Sequence, residues 1–237
     1  MITLLPQNQS IIFEPIEHSY KKDGKQLISI TTLIELYSEP FDPQGHITQA
    51  CARREKISAE EMRKRWRENG ERAAKDGHNL HSSMEYFINN KKIRNDKYKK
   101  IVKQFSKIKF KGDLYSEILL CDVESGIAGT CDLLSQLDEK HLELYDFKYI
   151  KRFDLKSRYK KNLLYPLNNI GACHLNKYSL QLYLYKYILE KNGYTVTNIP
   201  QIFYINSETH KIETIETINM EKDIKKLLNH YKSVIDF

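Results

Sequence analysis

The chain has 237 residues, of which 41% are hydrophobic and 29% are charged, so it can bury a core and is not globally disordered. Its net charge of +7 fits a polyanionic partner such as nucleic acid, and fits equally well a lysine-rich protein without one. The four cysteines form no CxxC pair, which argues against a zinc knuckle or an iron–sulfur cluster.

The first half of the chain predicts a hairpin followed by helices. Residues 11–30 read as two strands around the turn KKDG, and residues 31–42 predict a short helix that ends near Pro40. The pattern is helical from Ile57 to Asn90 and opens with capping-box spacing between Ser58 and Glu61. Gly77 inside this helix suggests the close approach of another backbone, although a tolerated glycine without such a neighbour is also common. Residues 90–110 predict an amphipathic helix with a basic outer face.

The second half predicts a strand-rich centre and a helical end. Residues 113–150 predict three strands with turns near Ser125-Gly126 and Asp138-Glu139. Residues 151–176 have no clean period and predict a long loop. Residues 177–194 predict a helix with Gly193 at its end, residues 199–218 a hairpin, and residues 221–237 a terminal helix. We therefore expect one α/β (α+β) domain with helical decoration.

Three charged residues stand inside the most apolar strands. Asp146 and Lys148 are two apart and share a face, and an in-register neighbouring strand would bring Asp132 beside them. Two close carboxylates repel each other unless a cation lies between them, and Mg²⁺ prefers carboxylate oxygen. A bare D-x-K pair is also common as a solvated salt bridge, so these residues leave both interpretations open.

Other residues suggest the same chemistry. His81 and Glu85 are four apart on one helical face, and Glu117 lies on the strand before Asp132. Gln181 and Tyr185 share a face of an apolar helix, where a buried amide needs a partner. Each pair also fits an ordinary structural role. His78 beside His81 would suggest zinc, but no third strong ligand lies near it in the sequence.

Taken in order, these motifs resemble the PD-(D/E)XK nuclease superfamily, specifically its RecB-like and phage exonuclease branch. The mitochondrial genome-maintenance exonucleases are similar to this branch. The resemblance rests on the segments Gly77-x-x-x-His81-x-x-x-Glu85, Glu117, Gly129-x-x-Asp132, Asp146-x-Lys148 and Gln181-x-x-x-Tyr185. The spacing from Trp66 to Gly77 and the phrase NKYSLQLYLYKYILE add to it, and together they span roughly residues 66 to 190.

The resemblance implies a restriction-endonuclease-like core, with a central mixed β-sheet flanked by helices, and a role for each motif. His81, Asp132, Asp146 and the backbone carbonyl of Phe147 would bind Mg²⁺ or Mn²⁺, and Lys148 would be the catalytic lysine. Glu85 and Glu117 would be outer acids or ligands of a second metal. Gln181 and Tyr185 would position the active site and the DNA strand. Members with an iron–sulfur cluster carry three cysteines near the C-terminus, and no cysteine follows Cys173 here, so we expect no cluster.

The expected protein is a single nuclease domain over residues 1–237. Residues 1–56 would form a hairpin and helical elaboration, residues 57–207 the nuclease core, and residues 208–237 a C-terminal strand and helix. Basic and aromatic residues in the loop after Lys148 would contact DNA, or form a solvated insertion. These residues are Arg152, Arg158, Tyr159, Lys160, Lys161 and Tyr165.

The expected function is a metal-dependent DNA exonuclease, encoded by a phage and acting in recombination, replication or DNA degradation. Alternatives are a structure-specific endonuclease on the same core and a catalytically silent DNA-binding module. Linear DNA ends would be the substrate, with a possible replication or recombination protein as partner. No stretch has transmembrane length, and MITLLPQNQS lacks the features of a signal peptide, so we expect the host cytoplasm rather than a membrane.

Overall fold

The computed structural model describes residues 11–14, 19–158 and 160–235. Within these residues, nine strands form one sheet and six α-helices surround it. The strands are β1 (Ile12–Glu14), β2 (Ser19–Lys22), β3 (Lys25–Ser29), β4 (Asp113–Asp122), β5 (Ile127–Gln136), β6 (His141–Ile150), β7 (Thr195–Val196), β8 (Gln201–Asn206) and β9 (Ile212–Glu216). The helices are α1 (Ile30–Leu36), α2 (His46–Glu55), α3 (Ala59–Asn90), α4 (Lys99–Phe105), α5 (His174–Lys191) and α6 (Glu221–Ile235). The expected mixed α/β fold with a central mixed sheet is confirmed at this level.

The sheet is built around an antiparallel meander of β4, β5 and β6. Strand β4 pairs with β5 from Asp113↔Gln136 to Asp122↔Ile127, and β5 pairs with β6 from Leu133↔Tyr145 to Gln136↔Leu142. Strands β3 and β8 add parallel neighbours to β5 and β6, and β9 continues antiparallel from β8. The order along the sheet is β1-β2-β3-β5-β6-β8-β9, with β4 on β5 and β7 on β6.

One edge of β5 is shared by two strands. Strand β3 pairs with its first residues, Ile127 and Ala128, and β6 pairs with its last four. Between these pairings, residues 129–132 have no strand partner on that edge among the described residues. A sheet edge left unpaired exposes its N–H and C=O groups, so other groups of the protein must satisfy them.

Apolar side chains cover both faces of the meander. On one face, α5 packs Leu184 and Ile188 into a cluster with Leu134 and Leu144, which α1 and α6 also join. On the other face, α3 and α4 pack against the strands through a second cluster. Its fully buried members include Leu80, Met84, Ile101, Phe147 and Phe203. Because full burial of one such side chain contributes about 1.5–3 kcal/mol, these two clusters fix both helical layers on the sheet.

Most predicted elements are confirmed with shifted ends. The first hairpin turns at Asp23 and Gly24, which both adopt positive φ. Its predicted first strand is instead two strands, β1 and β2, which pair antiparallel, and residues 15–18 between them lie outside the described residues. Ser58 Oγ accepts a hydrogen bond from Glu61 N–H at 3.0 Å and begins α3. The three central strands, the hairpin of β8 and β9 and the terminal helix are present, and Gly193 follows α5 with φ +87°.

Three predictions differ from the structure. Helix α2 was not predicted, because it buries only Thr48 and Ala52 and shows little apolar periodicity. The helix predicted over residues 90–110 is limited to α4 and a 3₁₀ turn at Asp96–Tyr98, because Lys91 ends α3 with φ 55°. Gly77 has no other atom within 4 Å of an added Cβ, so the predicted close backbone approach is wrong.

The described residues of the predicted loop between β6 and α5 form no helix or named strand, but the loop is anchored. Leu163, Leu167 and Ile170 are buried in the cluster beneath α5, and Leu164 N–H donates to the Tyr37 carbonyl at 2.8 Å. The loop is therefore held to the body of the protein by core contacts. Among the described helices, none combines the length and the apolar character needed to cross a membrane.

Candidate active site

Asp132 and Asp146 lie where β5 and β6 separate. The ladder ends at Leu133↔Tyr145, so Asp132 occupies the register position opposite Asp146 without a backbone pair. Instead, Asp132 Oδ2 accepts a hydrogen bond from Phe147 N–H at 2.8 Å. In a continuous ladder, a backbone carbonyl of β5 would accept this hydrogen bond from Phe147 N–H, and here the Asp132 carboxylate takes its place. Since a residue's N–H and C=O point to the same strand edge, the Phe147 carbonyl also points towards β5.

Helix α5 satisfies the other side of this gap. Tyr185 Oη donates to the Thr130 carbonyl at 2.8 Å, and Gln181 Nε2 donates to Tyr185 Oη at 3.3 Å. The Tyr185 ring lies on Gly129, where an added Cβ would stand 2.9 Å from ring carbon Cε1. Gly129 is therefore needed because the ring occupies the space of a side chain. Gln181 and Tyr185 are buried, which favours their predicted positioning role over direct contact with DNA.

Helix α3 brings His81 to the same place. Leu80, Met84 and Ile88 repeat at helical spacing and pack onto the sheet, which directs the adjacent His81 towards the strands. His81 Nδ1 lies 3.4 Å from Glu117 Oε1 and 3.4 Å from Asp132 Oδ1. One ligand atom from each of these three residues lies within 4.8 Å of the others.

Glu117 adopts an unusual backbone conformation. Its φ is +53°, although it stands in the middle of β4, and the ladder keeps its register on both sides of it at Ser116↔Leu133 and Ile118↔Cys131. A non-glycine residue in the left-handed region costs about 1–3 kcal/mol. In this conformation the Glu117 carboxylate reaches His81. Backbone strain of this kind is concentrated at functional sites.

Lys148 forms an ion pair with Asp146. Its Nζ lies 2.5 Å from Asp146 Oδ2 and 4.8 Å from the centre of the Tyr178 ring. Asp146 is only 1% exposed, and neither of its carboxylate oxygens accepts an aligned hydrogen bond from a described residue. A buried carboxylate with unused lone pairs is costly, so this group is suited to bind a further cation.

The protonation states follow from these contacts. Burial raises the pKa of Asp146, and nearby Asp132 raises it further against the effect of Lys148. Burial would also raise the pKa of Asp132, but His81, Lys148 and the Phe147 N–H hold it below its usual range. For His81, burial lowers the pKa, yet Asp132 and Glu117 outweigh it and raise the value to about 10. At neutral pH, protonated His81 therefore lies between two acids.

The donor set fits a divalent cation. Carboxylate oxygens suit Mg²⁺ and Mn²⁺, and one imidazole nitrogen among them is compatible with Mn²⁺ and with zinc. The structure brings His81 and Asp132 together with Glu117, an acid for which the resemblance implied an outer position. Asp146, for which it implied direct metal binding, lies outside this group of three and faces Lys148.

A cleft of about 330 Å³ opens beside the group of three. His81, Ser82, Glu85 and Glu117 line it, together with Gly77 and His78. Glu85 is half-buried in this cleft but is not among the three clustered ligand residues. Because Gly77 has no side chain, the wall on this side of the cleft stays open.

The basic residues predicted to contact DNA are mostly paired with acids. Arg152 and Arg158 both approach Asp154, with Arg158 Nη2 at 2.7 Å from Oδ1. Lys161 pairs with Glu39. Lys160 is exposed and has φ 53°, with no ion pair among the described residues. Tyr159 lies outside the described residues. The predicted DNA contact therefore stays a prediction, and only Lys160 is unpaired in this set.

Two contributors were missed in the sequence. Tyr178 lies under the Lys148 ammonium, and Thr130 supplies the carbonyl that holds Tyr185. Tyr178 stands three residues before Gln181 and seven before Tyr185, so helical periodicity was a signal for it. The Thr130 contact uses a backbone atom, which no side-chain pattern reveals. Comparison with models of known protein families gives no match, and no curated protein matches the chain.

Proposed function

We propose that the chain is a divalent-metal-dependent deoxyribonuclease of the PD-(D/E)XK type, in the RecB-like phage exonuclease branch, hydrolysing phosphodiester bonds from linear ends. The observation that carries this proposal is the pair of buried carboxylates, Asp132 and Asp146, at the separation of two strands with Lys148 beside them. Maintaining two acids at such a position costs folding free energy, and the hydrogen bond from Phe147 N–H uses only one oxygen of Asp132.

The position of each residue suggests its role in the proposed reaction. His81, Glu117 and Asp132 would hold the cation, with Asp146 and the Phe147 carbonyl next to them. Bound Mg²⁺ or Mn²⁺ would supply Lewis-acid stabilisation of the phosphate and a water of lowered pKa. Lys148, released from Asp146, would donate a hydrogen bond to a phosphate oxygen and stabilise the negative charge that develops there. Gln181 and Tyr185 would keep β5 in place.

The test is degradation of end-labelled linear DNA, single-stranded and duplex, with Mg²⁺ or Mn²⁺ against EDTA. We expect metal-dependent loss of linear DNA, and loss of more than about 100-fold in rate for Asp146→Asn and Lys148→Met. Asp122→Asn is the matched control. Asp122 is also a buried aspartate paired with a lysine, but on β4 at the other end of the ladder.

Circular DNA of the same sequence separates the possible outcomes. Cutting of circles would replace the exonuclease by a structure-specific endonuclease on the same core. Full activity in Asp146→Asn and Lys148→Met would refute the assigned roles. DNA binding without any cleavage, with each metal tested, would leave a silent binding module.

A further inference from the structure

A two-helix arm projects from the sheet. It comprises α2 and the first half of α3, residues 46–75. Few of its side chains are buried. Thr48, Ala52 and Met62 are its buried residues, and residues 67–75 are exposed on every side of the helix. A helix that is polar all round gains little from its own packing, so core burial does not explain this segment.

An aromatic cleft lies at the start of this arm. Phe41, in the segment between α1 and α2, is 61% exposed and meets Trp66 edge to face at 5.2 Å between ring centres. The cleft around them has a volume of about 930 Å³, and Arg63, Lys64 and Arg67 line it. Accessible aromatic rings beside cations are the combination that binds unpaired bases, since the rings stack on bases and the cations neutralise phosphates. Phe41 is exposed and Trp66 is half-buried.

The charge of the arm is complementary to a polyanion. Residues 46–75 contain nine Arg and Lys against five Glu, so they hold more than half of the net charge of +7. Arg63, Lys64 and Arg67 have no ion pair with any described residue. Glu60 and Glu61 also line the cleft, but Glu61 pairs with Arg65 outside it at 3.4 Å.

Helical geometry connects the cleft with the candidate active site. Arg63 precedes His81 by 18 residues, which is five turns, so both project from the same side of α3. The positions between them within about 40° of this line are Arg67, Gly70, Ala74 and Gly77. The small residues leave a smooth path of about 22 Å from Trp66 to His81, the length of a few extended nucleotides.

We propose that this arm binds single-stranded DNA and guides it to the cleft beside His81, with Phe41 and Trp66 stacking on bases several nucleotides from the bond that is cut. That this DNA is the substrate rests on the proposed nuclease function. Single strands are specified because the bases of a duplex already stack on one another and leave no free face for the Phe41 or Trp66 ring.

Trp66 provides a direct readout because it is the single tryptophan of the chain. The experiment titrates the full chain in EDTA with oligodeoxythymidylates of about 4 to 16 nucleotides and follows tryptophan fluorescence. We expect quenching that saturates with single strands and is weak with duplex of the same length. Binding is measured without cleavage, so this result does not depend on catalysis.

Variants assign the binding to the arm through the anisotropy of a labelled oligonucleotide. Phe41→Ala and Trp66→Ala should each weaken binding about tenfold, and Trp66→Phe should restore most of it. Arg63→Gln with Arg67→Gln should reduce the slope of log affinity against log salt by about one to two. The controls are Val234→Ala, similarly exposed at 57%, and Lys222→Gln with Lys225→Gln on α6. Both controls should bind as the parent does, and melting temperatures verify folding.

The outcomes separate this proposal from the nuclease assignment. Cleavage without quenching, or with equal affinity in the arm variants and controls, would overturn the guide and leave the nuclease standing. Quenching by duplex but not by single strands would overturn it as well. Quenching that the arm variants abolish, in a protein that cuts nothing, would support the binding site and remove its connection to catalysis.

Discussion

The ring of Tyr185 packs directly against Gly129 and fills the volume where a side chain of residue 129 would stand. The ring brings its hydroxyl to the Thr130 carbonyl, 2.8 Å away, on the strand that also carries Asp132. The two sequence motifs GxxD, which begins at Gly129, and QxxxY, which ends at Tyr185, therefore contact each other. It fixes the unpaired part of β5 next to the acids.

Gly129→Ala should consequently displace the Tyr185 ring and weaken the contact that holds β5 at the site. The new Cβ would lie 2.9 Å from Tyr185 Cε1 and 3.0 Å from Oη, so the ring must move and the hydroxyl leaves Thr130. We expect a loss of about 1–3 kcal/mol in unfolding free energy, measured with urea, and a fall in cleavage rate. Gly171→Ala is the control, since its Cβ meets the nearest atom at an ordinary 3.5 Å. Equal stability of both variants would refute this account.

Glu117 should show a conflict between stability and activity. Glu117→Gly removes the strain of φ +53° and should raise the unfolding free energy by about 1 kcal/mol, while cleavage is lost with the carboxylate. Lys91→Gly relieves a similar φ of 55° at the end of α3, far along the helix from the acids, and should leave cleavage unchanged. A Glu117→Gly protein that cuts DNA normally would exclude this acid from the chemistry.

Gly70 and Gly77 test whether α3 is limited by helix propensity. No other atom lies within 4 Å of a Cβ built at either residue. Gly70→Ala and Gly77→Ala should each stabilise the helix by about 0.5–1 kcal/mol and raise the melting temperature by about 1–4 °C. A lower melting temperature for Gly77→Ala alone would reveal a close neighbour at that position.

The pair Asp122–Lys191 should make stability depend on pH. Lys191 Nζ lies 2.9 Å from both oxygens of the buried Asp122 carboxylate. Burial raises the pKa of Asp122, but hydrogen bonds from Ser125 and Lys191 outweigh this and lower it below its ordinary value of 3.8. The stabilisation is therefore fully present above that value and is lost as pH falls through the lower folded-state pKa.

The variant Lys191→Met tests this sign. It should cost about 1–2 kcal/mol at pH 7, between the values for exposed and buried pairs, because Lys191 is one-third exposed. In urea denaturation the difference from the parent should shrink towards pH 3. Lys232→Met, which breaks only a 3.8 Å contact with the exposed Glu124, should stay within about 0.5 kcal/mol at both pH values. A difference that grows on acidification would contradict the assignment.

The sequence predicts the elements with strong local signals. The meander of β4, β5 and β6 follows from alternation and turns, and α3 from its capping serine and apolar period. The adjacency of Asp132 and Asp146 also follows, because register in a tight hairpin is set by its turn. These predictions rest on interactions between residues that are near one another in the chain.

The features that escaped prediction depend on distant contacts. Glu117 joins His81 and Asp132 because of a backbone torsion that no residue type signals. Asp146 faces Lys148 rather than the group of three, which depends on how far β5 and β6 separate. The close approach predicted at Gly77 is absent, because the presence of a glycine does not reveal whether neighbouring atoms fill the space of a side chain or leave it open. Helix α2 was missed because its contacts are few.

The divided edge of β5 also bears on how the chain folds. The hairpin of β5 and β6 joins residues only a few positions apart, whereas β3 reaches β5 across about a hundred residues at Ile28↔Ile127. Local pairing forms at a smaller loss of chain entropy. We therefore expect the two acids to come together before α3 brings His81 to them across the intervening chain. At that stage Lys148 would be the nearby cation of the same hairpin, and its ion pair with Asp146 would then stabilise the hairpin as well as the finished site.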